Sequence, residues 1–186
     1  MIKAVLLDFG GVVFSNKDDY DGPKGSLASD PEHWHQARLG LLDDDKVFAE
    51  IGKGYGVDGK TVFGWLLSRR VPNQDLLQLI SKLKPGIKTA IINNGLKTLF
   101  HGLLDKYDLK DRFDLLVNSA EEGVEKPDPE IFLRTCQRLQ VQPEQCVMID
   151  DDEKLLVGAK ELGMRTILAN NSADLFQEFK SLGLLR

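Results

Sequence analysis

The sequence predicts an α/β fold in which a doubly wound parallel sheet carries helices on both faces. Short apolar runs alternate with segments of helical periodicity from residue 87 onward, and this alternation implies parallel strands joined by right-handed crossovers. A further apolar run, residues 4–7, ends abruptly at Asp8 and is followed by two glycines at positions 10 and 11. Such a run is typical of a buried strand in a parallel sheet.

The composition excludes several classes of protein. The 186 residues, 42% of them hydrophobic and 28% charged, suit one soluble domain, or one domain with a small insert. The net charge of −5 offers no general attraction to nucleic acid or to an anionic membrane. The N-terminal apolar run is too short for a signal peptide. Cys136 and Cys146 lack metal-site spacing and are expected to be plain thiols in a cytoplasmic protein.

The first third of the chain reads as a helical insert. Residues 15–30 are polar and rich in turn-forming residues, and the sequence Ser29-Asp30-Pro31-Glu32 is typical of a helix start. Further helices are predicted from Asp43 onward and over 61–67. Since this stretch shows no obvious strand, we predict an insert over residues 16–71 and a core formed by 1–15 and 72–186.

Regular alternation follows the insert. Pro72 and Asn73 begin a helix whose leucine and isoleucine residues recur at helical spacing. The predicted strands after it are 87–92, 113–117, 145–149 and 166–168. The predicted helices are 96–107, 129–139, 153–162 and 173–182.

Four polar groups fall at or after the ends of predicted strands. They are Asp8, the Asn93-Asn94-Gly95 segment, Lys126, and the Asp150-Asp151-Asp152 segment. Each has an ordinary explanation as a turn, a helix cap or a solvated side chain. Because parallel strands bring their carboxyl ends to one edge of the sheet, we expect the four groups to converge there.

Their chemistry fits phosphoryl transfer. Asp8 and Asp151 would repel each other unless a cation lay between them, and carboxylate oxygens suit Mg²⁺. Lys126 would add positive charge, and the amides around Asn93 and Asn94 at a helix N-terminus would hold an anion. A carboxylate nucleophile, a divalent cation, a lysine and an anion site are the parts that phosphoryl transfer requires.

At these residues the chain resembles the haloacid dehalogenase-like hydrolase superfamily, over nearly its whole length. Segments 8–12, 123–132 and 147–151 look like its first, third and fourth motifs. The stretch at about 27–70 is similar to the small helical cap that many members carry, and the overall pattern is similar to that of sugar phosphatases. The resemblance implies a Rossmann-like core.

The resemblance also implies roles for individual residues. Asp8 would be the nucleophile that forms an aspartyl-phosphate. Its side chain, the backbone carbonyl of Gly10 and the side chain of Asp151 would hold Mg²⁺, and Asp150 would support the metal from the second shell. Lys126 would bind the phosphoryl group and restrain Asp8.

Substrate binding is divided between core and cap on this reading. Asn93 and the backbone N–H of Asn94 would hold phosphoryl oxygens beside Lys126. The cap would select the substrate, and its residues expected to face the site are Trp34, His35 and Arg38. Arg69 and Arg70 are expected to cap or flank the third helix of the insert.

Three positions depart from the family pattern. Phosphatases of the family usually have Asp, as general acid and base, where this chain has Gly10; Asn93 replaces Ser or Thr, and Leu155 replaces Asp or Asn. Such an acid contributes typically ~10²–10⁴-fold to the rate. The absence at Gly10 therefore predicts a preference for good leaving groups, as in anomeric sugar phosphates, acyl phosphates and aryl esters, unless His33 or His35 acts as the acid.

The predicted function is a Mg²⁺-dependent phosphatase acting on a small phosphorylated metabolite, as a monomer or homodimer without nucleic-acid or membrane partners. Three alternatives stay open. The chain could be a catalytically impaired domain that binds a phosphorylated ligand or partner. It could be a haloacid dehalogenase, which needs no metal, or a phosphotransferase that passes the phosphoryl group to an alcohol.

Overall fold

The central sheet consists of five parallel strands with β1 in the middle. The computed structural model describes residues 1–19, 30–169 and 172–186. The strands in these ranges are β1 (Ala4–Asp8), β2 (Phe14–Asn16), β3 (Arg70–Pro72), β4 (Lys88–Asn93), β5 (Leu115–Asn118), β6 (Cys146–Asp150) and β7 (Arg165–Leu168). The sheet order is β5-β4-β1-β6-β7, and β2 and β3 form a separate antiparallel ribbon. The predicted parallel α/β fold is confirmed.

Helices connect the strands and cover the sheet. In the described residues they are α1 (Pro31–Arg38), α2 (Asp44–Tyr55), α3 (Gly59–Ser68), α4 (Gln74–Ser81), α5 (Lys97–Lys106), α6 (Ser119–Glu122), α7 (Pro129–Leu139), α8 (Val157–Glu161) and α9 (Ser172–Ser181). Short 3₁₀ turns occupy Lys110–Arg112, Pro143–Gln145 and Glu153–Leu156. None of the helices described is long and apolar enough to cross a membrane.

Strand β1 is buried on both faces, which fixes the position of Asp8. Val5 and Leu7 pack into one apolar layer, whereas Ala4 and Leu6 pack into the layer on the opposite face. All four side chains are fully buried. A strand anchored on both faces in this way holds its terminal carboxylate firmly at the edge of the sheet.

The ribbon of β2 and β3 leads into and out of the helical insert. Helices α1 to α3 lie between these strands in sequence and pack around a small apolar core of their own, which includes Phe48, Ile51 and Val62. In the ribbon, Asn16 lies opposite Arg70. The first two residues of the predicted polar loop, 15 and 16, belong to β2. Residues 20–29 of that loop lie outside the described residues.

Several local predictions were wrong. The insert prediction contained no strand, yet its limits include Arg70 and Val71 of β3 and Asn16 of β2. Strand β5 begins at Leu115 rather than at residue 113, because the 3₁₀ turn Lys110–Arg112 precedes it and Phe113 packs into the core. The helix predicted from residue 153 begins as a 3₁₀ turn, and the short helix α6 was not predicted at all.

The insert is joined to the core by polar contacts. The N-cap residue of α5, Leu96, provides no side-chain cap, and the carboxylate of Asp44 in α2 instead accepts the N–H of Thr98 at 2.6 Å. The hydroxyl of Ser119 donates to the carbonyl of Arg38 at 2.6 Å. These contacts hold the insert over the carboxyl edge of the sheet, where the polar groups converge.

Candidate active site

A tight turn follows β1 at the carboxyl edge of the sheet. The N–H of Val13 donates to the carbonyl of Asp8 at 3.3 Å, and the N–H of Phe14 donates to the carbonyl of Phe9 at 2.7 Å. Gly11 has φ +104°, and a Cβ atom there would overlap the carboxylate of Asp151. Glycine is therefore required at position 11 both for the backbone conformation and for the approach of Asp151.

A buried lysine bridges two of the carboxylates. Lys126 Nζ lies 2.5 Å from Asp8 Oδ1 and 2.6 Å from Asp150 Oδ2. Lys126 is 1% exposed, Asp150 is fully buried and Asp8 is 6% exposed. A buried charge of this kind is stable only when it is paired and hydrogen-bonded, and Lys126 satisfies both carboxylates at once.

Burial and the neighbouring charges shift the pKa values of Asp8 and Lys126. Burial raises the pKa of Asp8 to about 6; Asp150 and Asp151 add to the rise, while Lys126 opposes it. Burial alone would lower the pKa of Lys126, but the adjacent Asp8 and Asp150 outweigh it, so that the pKa lies above its usual value. Lys126 is therefore a permanent cation between Asp8 and Asp150.

Asn94 fixes the backbone that carries Lys126. The side-chain carbonyl of Asn94 accepts the N–H of Lys126 at 2.9 Å, and its amide donates to the Lys126 carbonyl at 2.8 Å. On the other side, a Cβ at Gly158 would overlap the carbonyl of Pro127. The side chain of Asn94 thus positions the lysine, so any contact of Asn94 with a phosphoryl group falls to its backbone N–H.

The carboxylates of Asp8, Asp150 and Asp151 form a candidate metal centre. One oxygen of each lies within 4.8 Å of the others. Asp150 uses Oδ2 for Lys126 and Oδ1 to accept the N–H of Asp152, whereas Asp151 is more open and its pKa is raised by burial and then by Asp150. Three carboxylates and one ammonium carry two net negative charges. This all-oxygen donor set and its charge fit Mg²⁺.

A cavity of about 250 Å³ opens beside the carboxylates. Asp8, Gly10, Asn93 and Asp151 line its polar end, and Leu155 lies in the wall. The side chains Phe9, Phe14, Leu96, Leu99, Phe100 and Leu103 form an apolar wall. The space suits a small molecule with a charged end and an apolar or neutral body.

The insert contributes two of its three expected residues to this cavity. Trp34 and Arg38 line it. His35 instead lies with Nδ1 3.1 Å from Glu125 Oε1, and His33 Nδ1 lies 2.8 Å from Glu50 Oε2. Neither histidine belongs to the cavity wall as described, so the geometry gives no support to either as the missing acid.

Arg70 is a cavity residue that the sequence reasoning missed. Arg69 does cap α3 as expected, but Arg70 begins β3 and lines the cavity. A Cβ atom at Gly10 would lie 3.7 Å and 3.8 Å from the two terminal guanidinium nitrogens. The available signal was topological: the chain must return from the insert beside the point where it left the sheet.

The chain belongs to the haloacid dehalogenase-like hydrolases, since the model of that family matches residues 2–163. It is accordingly a hydrolase, and its relatives include phosphatases. It is 24% identical to the sesquiterpene phosphatase astK of Aspergillus oryzae, over 97% of this chain and 96% of that protein. It is 27% identical to the glyceraldehyde 3-phosphate phosphatase of Methanopyrus kandleri, over 90% and 83% of the two chains.

Other relatives are much longer. The chain is 28% identical to mouse acyl-CoA dehydrogenase family member 10 over 97% of its own length, but it spans only 19% of that protein. Among solved structures, the haloacid dehalogenase family enzyme bt-2542 of Bacteroides thetaiotaomicron, in complex with magnesium and inorganic phosphate, has a TM-score of 0.75 at 22% identity. That match covers 95% of this chain and 100% of that one. The L-2-haloacid dehalogenase of Xanthobacter autotrophicus has a TM-score of 0.66 at 22% identity, covering 100% and 89%.

Proposed function

We propose that this hydrolase is a Mg²⁺-dependent phosphatase that uses Asp8 as its nucleophile on a small phosphorylated metabolite. The observation that carries the proposal is the position of Asp8. It ends the central strand, is held by the buried Lys126 at 2.5 Å, and shares a cluster with Asp150 and Asp151 beside the cavity. Two of the phosphatases among the relatives, described above, support the same reaction class.

Each residue of the site has a separate role in the proposed reaction. Lys126 fixes Oδ1 of Asp8, so that Oδ2 attacks the phosphorus and the ester oxygen leaves with its bonding electrons. Water then attacks the phosphorus of the aspartyl-phosphate, which releases inorganic phosphate and restores the carboxylate. Asn93 and the backbone N–H of Asn94 hold phosphoryl oxygens, as donors at the N-terminus of α5 can.

Asp8, Asp151 and the backbone carbonyl of Gly10 would hold Mg²⁺, and Asp150, whose carboxylate accepts Lys126 Nζ and the N–H of Asp152, would support these ligands without contacting the ion. The ion would supply charge neutralisation between the attacking carboxylate and the phosphoryl oxygens. The alternative of a metal-free dehalogenase is less well supported, because Lys126 offsets only one of the three clustered carboxylate charges and the rest repel one another without a further cation.

The substrate class follows from the cavity and from Gly10. A cavity of about 250 Å³ admits a small metabolite, and position 10 offers no proton to a leaving group. Anomeric sugar phosphates, acyl phosphates and aryl phosphates are therefore the favoured substrates, since their leaving groups depart without protonation.

The test is a phosphatase screen of the purified chain with Mg²⁺ and with excess chelator, beside the variants Asp8→Asn and Asp152→Asn. Asp152 is the matched control, because it caps the following 3₁₀ turn and lies outside the carboxylate cluster. We expect Mg²⁺-dependent turnover that Asp8→Asn abolishes and Asp152→Asn retains. Full activity of Asp8→Asn, or metal-independent halide release from haloacetates, would contradict the proposal.

A further inference from the structure

The position of Arg70 is fixed by its backbone rather than by a partner for its charge. The backbone of Arg70 pairs with that of Asn16 across the ribbon of β2 and β3, and the Arg70 carbonyl accepts a hydrogen bond from the hydroxyl of Tyr107 at 2.8 Å. Within the described ranges, its guanidinium has neither a hydrogen bond nor a carboxylate within 4.0 Å. The charged end is thus held at the cavity wall without being neutralised by a direct partner.

The surroundings of this guanidinium favour an anionic ligand. Burial lowers the pKa of Arg70 and the like charge of Arg69 lowers it further, and the more distant carboxylates of Asp8 and Asp151 only partly oppose these two effects. Arginine nevertheless stays charged throughout the physiological range, so it cannot give up a proton as an acid does. Its planar fork matches two oxygens of a phosphate ester, and such charge-assisted hydrogen bonds are the strong ones.

The guanidinium of Arg70 lies next to the position that a side chain at residue 10 would occupy. The nearest atoms to a Cβ at position 10 would be the terminal nitrogens of Arg70, at 3.7 Å and 3.8 Å. An aspartate at position 10 would therefore meet the guanidinium and form an ion pair with it. Since Gly10 has no side chain, the guanidinium faces the space that an acid would otherwise occupy.

We propose that Arg70 binds the leaving-group oxygen of the substrate from the space beside Gly10 and stabilises its developing negative charge. This inference rests on the proposed phosphatase function. As Asp8 Oδ2 bonds to phosphorus, the bond between phosphorus and the ester oxygen breaks. The electron pair stays on that oxygen, which leaves as an anion hydrogen-bonded to Arg70 and takes its proton later from water.

The first test compares wild type, Arg70→Gln and Arg70→Lys on a series of phosphate monoesters whose leaving groups range from good aryl to poor alkyl. Removing a donor to a developing oxyanion lowers the rate by ~10²–10³-fold. We expect Arg70→Gln to lose that much on the poorest leaving groups and about tenfold or less on the best. The dependence of kcat/KM on leaving-group pKa becomes steeper, and Arg70→Lys recovers part of the loss.

Arg69→Gln is the matched control, because it removes the same charge from the neighbouring residue, which does not line the cavity. We expect its leaving-group dependence to parallel that of the wild type. An equal loss by Arg70→Gln on every ester would overturn the inference while leaving the proposed function intact. Absence of any Asp8-dependent turnover in the wild type would instead overturn the proposed function, and this inference with it.

A second test places an acid at position 10. In the wild-type background, Gly10→Asp pairs with Arg70, so we expect activity on alkyl phosphates to fall. In the Arg70→Gln background the same aspartate is free to donate a proton, and we expect it to raise activity at least about tenfold over Arg70→Gln alone. Equal effects of Gly10→Asp in both backgrounds would contradict the geometry assigned to Arg70.

Discussion

Two of the cations near the catalytic carboxylates proposed above, Lys126 and Arg70, are held in opposite ways. Lys126 is completely buried, hydrogen-bonded to Asp8 and Asp150 and clamped through its backbone by Asn94. Arg70 is only partly buried, and its guanidinium makes no direct ion pair among the residues described. The charge of Lys126 is therefore paired within the folded protein, whereas the guanidinium of Arg70 can pair with a ligand.

Because the two cations are paired differently, we expect their removal to affect stability and activity differently. Removal of Lys126 leaves buried carboxylates without compensation, so it should affect both folding and activity. Among the residues that the structure describes, removal of Arg70 leaves no buried partner unsatisfied, so it should affect the reaction far more than the fold.

The largest combined effect is expected for Lys126→Met. Breaking a buried ion pair by removing one partner destabilises a protein by ~3–5 kcal/mol, and the nucleophile also loses the group that orients it. We expect turnover to disappear and the urea midpoint to fall sharply at neutral pH. Arg70→Gln, measured in parallel, should keep a midpoint close to that of the wild type; equal midpoints for the two variants would break the comparison.

Gly11→Ala should damage the metal centre more than the fold. The added Cβ would overlap the carboxylate of Asp151, and disturbed ligand positioning typically weakens metal binding by ~10–100-fold. Calorimetric titration with Mg²⁺ measures the change directly. Gly86→Ala is the matched control, because Gly86 also has a positive φ, +87°, but open space around it. If both variants bind Mg²⁺ equally, the contact with Asp151 is irrelevant.

The sequence predicted the position of a site residue best where that residue ends a strand with strong apolar character. Asp8, Asn93 and Asp150 end β1, β4 and β6, and their convergence follows from the parallel topology alone. Family resemblance added expected roles for these residues, and those roles stay predictions.

Arg70 could not be found in the same way. Strands β2 and β3 have only three residues each, too few to show a period of two. Arg70 therefore looked like the end of α3. The use of the Asn94 side chain on the Lys126 backbone was equally hidden, because it depends on a contact between residues 32 positions apart.

A smaller effect is expected at Asp44, a buried carboxylate outside the metal cluster. It accepts the N–H of Thr98 and so caps α5, the helix that supplies Leu99, Phe100 and Leu103 to the apolar wall of the cavity. Loss of a cap typically destabilises by ~0.5–2 kcal/mol. We expect Asp44→Ala to lower the free energy of unfolding in that range and to leave Mg²⁺ affinity unchanged. Asp45→Ala, one residue along, serves as control, and an equal effect there would contradict the capping role.

The smallest effect is a pH dependence within the insert. The hydrogen bond to Glu50 raises the pKa of His33 above its ordinary 6.5, and Asp30 adds to the rise. A raised pKa in the folded state stabilises the fold fully below the unfolded pKa, and this contribution disappears as the pH rises through the folded pKa. We expect His33→Gln to lower the urea midpoint at about pH 5 but not at about pH 8. A larger loss at the higher pH would contradict this pairing.

The central claim is that Asp8 forms the covalent intermediate, and trapping that intermediate tests it most directly. The enzyme is mixed with Mg²⁺ and an aryl phosphate, quenched in acid within the first turnover and analysed by intact mass and peptide mapping. The account predicts one added phosphoryl group on the peptide that contains Asp8, and none in Asp8→Asn. Turnover without an adduct, or an adduct on another residue, would contradict it.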